Sequence, residues 1–174
     1  MKDRLYFLVE GPDDERFFDK IVKPKFKNRY YEIIILKYAE KTKEGVKNII
    51  LSIKKIPMTD YIFVVDINDS PCVTAKKQQI WEKFSYVDLD RIIVVIKKIE
   101  SWYLAGLDNA NAKKLKISSL ETTDNVDKGK FKSLVGKESD LKDLKIEILK
   151  HFSTEVAMEK NKSFKYFIEK YNCK

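Results

Sequence analysis

Acidic side chains that close runs of apolar residues carry the chemical signal in this sequence. Leu5 to Val9 end at Glu10, and Gly11, Pro12, Asp13, Asp14 and Glu15 follow. Ile62 to Val65 end at Asp66, with Asn68 and Asp69 just beyond. Ile92 to Ile96 lead into Lys97, Lys98 and Glu100. Carboxylate and amide oxygens, with no His or Cys in these three segments, suit a hard cation such as Mg²⁺ or Mn²⁺. Magnesium typically binds through one or two carboxylates, keeps several waters and takes substrate phosphates as its other ligands. The chemistry open to such a site is metal-assisted attack on a phosphodiester.

The residues between these acids set how they are positioned. Arg4–Glu10, Tyr30–Tyr38, Tyr61–Val65 and Arg91–Ile96 are short, nearly continuous apolar runs rich in Ile, Val, Phe and Tyr, which reads as buried strands. Helical spacing follows each of the first three. Phe17, Phe18, Ile21 and Val22 form a first helix that starts at Pro12 and ends at Pro24. Val46, Ile49, Ile50, Ile53 and Ile56 form a second, capped by Thr42 and closed by Pro57. Val73, Ile80, Trp81 and Phe84 form the inward face of a third, opened by Ser70-Pro71, with Lys76 and Lys77 outward. Strands alternating with single helices imply right-handed crossovers and a parallel sheet covered on both faces. If the first and third strands are neighbours, about 4.8 Å separates them, and Glu10 and Asp66 can share one cation. Asp13, Asp14 and Glu15 sit in a first helical turn, where carboxylates complement the helix dipole; a share in metal binding is the other reading.

Past Glu100 the pattern changes. SWYLAGL is a short helical piece, Asn109–Lys137 a lysine-rich stretch of short helices and loops. Leu141, Leu144, Ile148, Leu149 and Phe152 define an amphipathic helix. Phe164, Phe167, Ile168 and Tyr171 define another, capped by Ser163. The expected organisation is an α/β core over residues 1–100 and a helical extension, 101–174, packed on it.

The segments FLVEGPDDERFF, VVDIND and IESWYLAG, in that order, resemble the Toprim domain. KIESWYLA and KNKSFKYF resemble small stand-alone proteins of its OLD-like branch. The resemblance implies a Toprim-like (Rossmann-like) four-stranded parallel sheet flanked by helices, and a metal-dependent nuclease. Glu10 matches the family glutamate that serves as metal ligand or general base, Gly11 its glycine, Asp66 the first acid of Asp-x-Asp, and Glu100 the later acid. The second acid of Asp-x-Asp falls on Asn68, with Asp69 one residue later, so either of them completes a site of lowered charge or catalysis has been lost. The implied metal set is therefore Glu10, Asp66, Asn68, Asp69 and Glu100. The OLD-like branch is described as using a basic residue as well; Lys97 is the candidate catalytic cation that would neutralise the transition-state phosphate, and Lys76, Lys77 and Lys98 are candidate nucleic-acid contacts.

Several features have competing structural readings. Glu10 and Asp66 can cap helices, and Glu100 can be an N-terminal acid of the SWYLAG helix. Lys97 and Lys98 can be solvated strand-end charges. Trp102 and Tyr103 can pack a core or stack on bases. His151 has no acids at ligand spacing and reads as structural.

Composition sets wider bounds. Lys and Arg number 35 against 27 acids, a net charge of +8, which favours a polyanionic partner through phosphate contacts. The 174 residues suffice for one core without disulfides, and the two cysteines, Cys72 and Cys173, match no metal spacing. No apolar run approaches the roughly 20 residues that cross a bilayer and no secretory signal is expected, so the expected location is the cytoplasm. There is no G-x-x-x-x-G-K-[ST] and no G-x-G-x-x-G among the five glycines, so an ATPase would have to come from a separate partner. Self-association is also compatible with this composition.

Overall fold

The computed structural model describes residues 2–135 and 141–173. Gly136 and Lys137, at the end of the lysine-rich stretch, lie outside the described residues. The chain divides into two compact units, Met1–Val94 and Val95–Lys174.

The first unit is built on β1 (Lys2–Val9), β2 (Tyr30–Lys37), β3 (Thr59–Asp66) and β4 (Ile92–Val95). They form an all-parallel, Rossmann-like sheet in the order β2-β1-β3-β4. The register of β1 runs from Lys2↔Tyr30 to Val9↔Lys37 against β2, and from Arg4↔Thr59 to Leu8↔Phe63 against β3. β1 is central, and Phe7, Leu8 and Val9 are fully buried. Alternate side chains point to opposite faces of a strand. Phe7 meets Phe18 and Phe26, with ring centroids 5.0 and 5.3 Å away. Leu8 instead joins Val46, Ile50, Ile53, Phe63, Ile80 and Phe84 in the main apolar cluster.

Helix α1 spans Pro12–Phe17, with Pro12 in its first turn as expected. It does not continue as an α-helix to Val22. A π-helical turn, Phe18–Val22, and a 3₁₀ turn, Lys23–Phe26, follow it. Pro24 has no N–H for the α-ladder, so the hydrogen-bond pattern changes rather than stops. The change of pitch lets both Phe17 and Phe18, adjacent in sequence, reach the interior. Helix α2 (Lys43–Lys55) starts at Thr42, whose Oγ1 accepts the Gly45 N–H at 3.0 Å.

Helix α3 (Val73–Lys83) departs from expectation in three ways. Its cap is Cys72, whose Sγ accepts the Ala75 N–H, while Ser70 donates to Gln79. Ile80 and Phe84 are buried, but Val73 and Trp81 are 38% and 41% exposed. Lys76 is half-buried rather than outward. Strand β2 also differs: it lies at the sheet edge, and only Tyr30 and Ile33 are buried. Its Ile-rich run resembles a central strand, but edge position is set by topology, which local composition does not encode.

The second unit is helical: α4 (Glu100–Ala105), α5 (Asn109–Lys114), α6 (Lys128–Val135), α7 (Leu141–Lys150), α8 (Thr154–Lys160) and α9 (Lys162–Tyr171). Every residue of α4 is buried. Trp102 is fully buried against Phe164 and Phe167, so core packing holds for this residue. Its Nε1 donates to Ser163 Oγ at 2.8 Å, and Ser163 Oγ donates to Asn161 Oδ1 at 2.8 Å. Asn161, not Ser163, caps α9 by accepting the Phe164 N–H. The Asn161 amide also donates to Ser101 and Thr123. This network ties the IESWYLA and KNKSF segments together inside the unit. A fully satisfied buried network of this kind specifies one packing.

Gly106 is required by close approach. A Cβ there would lie 2.1 Å from a ring carbon of Phe152. Gly106→Ala is expected to destabilise the unit by about 1–3 kcal/mol, the usual cost of overpacking. A thermal melt checks this; the double variant Gly106→Ala/Phe152→Ala should recover part of the loss, and an unchanged midpoint in the single variant would contradict it.

Candidate functional site

The sheet order contains a topological switch. The chain leaves β1 toward β2 on one side, while β3 and β4 lie on the other. Helices diverge at such a point and open a crevice at the carboxyl ends of the two strands, where open α/β sheets hold ligands. Glu10 follows β1 directly and Asp66 ends β3. The register Leu8↔Phe63 puts Glu10 level with Val65, one residue from Asp66. Asp66 is 5% exposed and Glu10 is half-buried.

Beside them opens a cavity of about 380 Å³. Glu10, Asp66, Asn68 and Tyr38 line it together with Lys41, Lys43, Lys76 and Lys83. Its apolar wall is Val46, Val65, Ile80 and Phe84. Asn68 and Asp69 occupy a tight turn closed by the Ser70 N–H on the Ile67 carbonyl at 3.1 Å. Asn68 has φ 48°, in the left-handed region, which Asn enters at low cost. The turn thus gives this residue a conformational reason to be Asn. Asn68 borders the cavity; Asp69 is exposed and is not part of its lining.

The three acids after Pro12 have three different fates. Asp13 pairs with Arg16 at 2.6 Å and Glu15 with Lys37 at 2.9 Å, both at the surface. Asp14 turns inward, 6% exposed, and its Oδ2 accepts the Gly11 N–H at 3.1 Å. The dipole reading therefore fits Asp13 and Glu15 but is incomplete for Asp14. Its carboxyl is pushed up to about 7, chiefly by burial, then by the charge of Asp66, with Glu10 adding to it against the Gly11 hydrogen bond. Tyr38 faces the same charges. Burial first, then Glu10, Asp66 and Asp14, hold its phenol well above the ordinary range, so the O–H stays protonated. Its ring stacks on Phe63 at 4.6 Å. Gly11 itself has an ordinary extended backbone, φ −143°, so the turn does not demand glycine.

Asp14 sets a pH dependence. Its folded value lies above its unfolded value of 3.8. Below pH about 4 the group is protonated in both states and costs nothing. Between about 4 and 7 only the unfolded chain releases the proton, so stability falls as pH rises; above about 7 the whole cost is present. Each unit of difference is worth about 1.4 kcal/mol. In chelator, Asp14→Asn is expected to flatten this slope and to exceed the wild type in stability at pH 8. Urea unfolding across pH decides it, and a slope unchanged by the substitution would refute the assignment.

No protein-family model, curated protein or solved structure matches this chain. The geometry therefore has to carry the functional reading. Among the described residues, no group of three or more His, Cys, Asp or Glu side chains is arranged to hold a metal ion. The donor set at the switch point is two strand-end carboxylates with an amide at the cavity edge, all hard oxygens. Such a set fits a cation that keeps water and takes phosphate oxygens, not one enclosed in a protein cage.

The remaining sequence candidates are not among the residues lining this cavity. Lys77 is half-buried on α3 and does not line the cavity. Lys97, Lys98 and Glu100 belong to the second unit. Lys97 is exposed, with φ 64°. Glu100 is 2% exposed and its Oε1 accepts from Lys145 Nζ at 2.9 Å. Lys145 also lies over the rings of Phe131 and Tyr103 at 5.2 and 5.8 Å. Sequence reasoning missed Asp14 as a buried acid, Tyr38, and the cavity lysines Lys41, Lys43 and Lys83. The signal for the lysines was available in part: Lys76 and Lys83 are seven residues apart and share a helix face with Ile80.

Proposed function

We propose that this chain is a Mg²⁺- or Mn²⁺-dependent phosphodiester hydrolase acting on DNA or RNA, of Toprim-like type, working in the cytoplasm. One observation supports the reading most: Glu10 and Asp66 stand side by side at the carboxyl ends of adjacent parallel strands, at the switch point, on the wall of a cavity rimmed by lysines. Glu10 and Asp66 are the cation ligands in this reading, with the Asn68 amide beside them. Asp14, held partly protonated near neutral pH by burial and by the charges of Asp66 and Glu10, is close enough to feel both. When bound there, the cation supplies a Lewis acid for the scissile phosphate and a water of lowered pKa. Glu10 orients that water, Lys76 and its neighbours hold the phosphate, and the protonated Tyr38 O–H is a donor to an incoming oxygen. Glu100 is left outside this ligand set because Lys145 already holds it. The net charge of +8 supports a nucleic-acid partner. A separate ATPase remains part of the proposal as the source of any nucleotide-driven step.

The test is cleavage of supercoiled plasmid, of linear single-stranded DNA with a 5′-phosphate and of structured RNA with Mg²⁺ or Mn²⁺. Cleavage that appears with the cation and stops with chelator is expected; cleavage indifferent to chelator would sink the proposal. A second reading, a non-catalytic nucleic-acid-binding or adaptor module, is favoured by Asn68 in the second acid position. It requires salt-sensitive binding that ignores both chelator and Glu10→Gln.

A further inference from the structure

The cavity beside Glu10 and Asp66 carries more cationic charge than two carboxylates need. Lys41 sits in the loop before α2, Lys43 is the first residue of α2, and Lys76 and Lys83 project from α3. Among the described residues, none of the four has an acidic partner within ion-pair distance. Other lysines of the same unit do: Lys37 pairs with Glu15, Lys47 with Glu44 and Lys54 with Asp88. Cations without an acidic partner, from two segments more than thirty residues apart, thus converge on one concavity.

Shape and lining narrow the ligand. A volume of about 380 Å³ is at the small end of ligand sites, roughly 300–1,000 Å³, so it admits a single small molecule or one residue of a polymer and not a duplex. The four lysines line one half-open cavity. Ile80 lies between Lys76 and Lys83 on α3, and Val46 and Phe84 complete an apolar wall. Lys83 Nζ stands 5.1 Å from the centre of the Phe84 ring. A ligand with a compact anion at one end and a flat or apolar body at the other satisfies both halves. Charge-assisted contacts to phosphate are stronger than neutral hydrogen bonds, and an apolar wall tolerates any base.

We propose that this lysine-rimmed cavity seats one 5′-phosphorylated nucleotide, its phosphate among Lys41, Lys43, Lys76 and Lys83 and its base toward Ile80 and Phe84. This deepens the hydrolase reading by naming the substrate as a 5′-phosphorylated nucleotide or strand end, and it rests on that reading only for what happens after binding.

Binding is measured by calorimetry in chelator at low salt with the full chain. The ligands are a 5′-phosphorylated tetranucleotide, its 5′-hydroxyl counterpart and the free mononucleotide. The phosphorylated strand is expected to bind at least tenfold more tightly than the hydroxyl strand. Lys55→Ala, at an exposed position of α2 outside the cavity, should keep that difference, whereas Lys43→Ala/Lys83→Ala should erase it. Both lysines are exposed, so a melt identical to wild type verifies folding. Tetranucleotide binding tighter than mononucleotide binding assigns a strand end; equal binding assigns a free nucleotide; both support the seat. Equal affinity for phosphorylated and hydroxyl strands, or a difference that survives the lysine substitutions, overturns it. A chain that shows 5′-phosphate discrimination but no metal-dependent cleavage retains the seat and loses the hydrolase reading; the reverse result loses the seat alone.

Discussion

Glu10→Gln is expected to reduce metal-dependent cleavage by about 10²–10³-fold, the loss typical when one electrostatic contact to the reacting centre is removed. The substitution keeps length and shape and removes one negative charge from the strand-end pair. Glu10 is only half-buried and carries no backbone cap, so the fold should tolerate the change. Substrate binding in chelator should be nearly unaltered, because the cavity lysines supply it. The discriminating readout is the split between turnover and KM: turnover falls and KM stays. Raising Mn²⁺ should recover part of the lost rate if the deficit lies in cation affinity. Equal cleavage by the variant and the wild type would show that the chemistry resides elsewhere in the chain.

Lys145→Met is expected to cost about 3–5 kcal/mol of stability. Lys145 and Glu100 are 6% and 2% exposed, and their 2.9 Å ion pair links α7 to α4. Removing the lysine leaves a buried carboxylate with no counter-charge, and among the described residues Glu100 Oε2 already lacks a hydrogen-bond donor. Glu100→Leu should also destabilise, because it removes the carboxylate that a buried ammonium meets at 2.9 Å. The double variant Glu100→Leu/Lys145→Met should return close to wild type, since replacing a buried pair by apolar groups of similar volume is often neutral. Chemical denaturation measures all three. Single variants within about 0.5 kcal/mol of wild type would mean that the pair is solvated and that Glu100 has another role.

The parts of the fold that were legible in the sequence share one property: they follow from local pattern. The runs ending at Glu10 and Asp66 are apolar, β-branched and separated by single helices, so the parallel sheet and its acidic edge could be read directly. Thr42 and Pro12 announced helix starts by side-chain chemistry alone. What stayed hidden depends on non-local placement. Asp13, Asp14 and Glu15 are equivalent as first-turn acids; only the tertiary packing that buries Asp14 within reach of the Asp66 charge distinguishes it. Trp81 has the size and spacing of a core residue, yet it is 41% exposed while its neighbour Ile80 is buried. Asn161 looks like a loop residue and becomes the centre of a buried network only when α4 and α9 meet. The lysines of the cavity come from segments more than thirty residues apart, and their convergence is a product of the β2-β1-β3-β4 order.

Mn²⁺ binding followed by electron paramagnetic resonance, on wild type and on Asp66→Asn, tests the central claim most directly. The wild type should deplete the free Mn²⁺ signal. Asp66→Asn should weaken binding by more than the roughly 10–100-fold that loss of an outer-shell partner produces. The same free Mn²⁺ signal with both proteins would contradict a cation site built on Glu10 and Asp66.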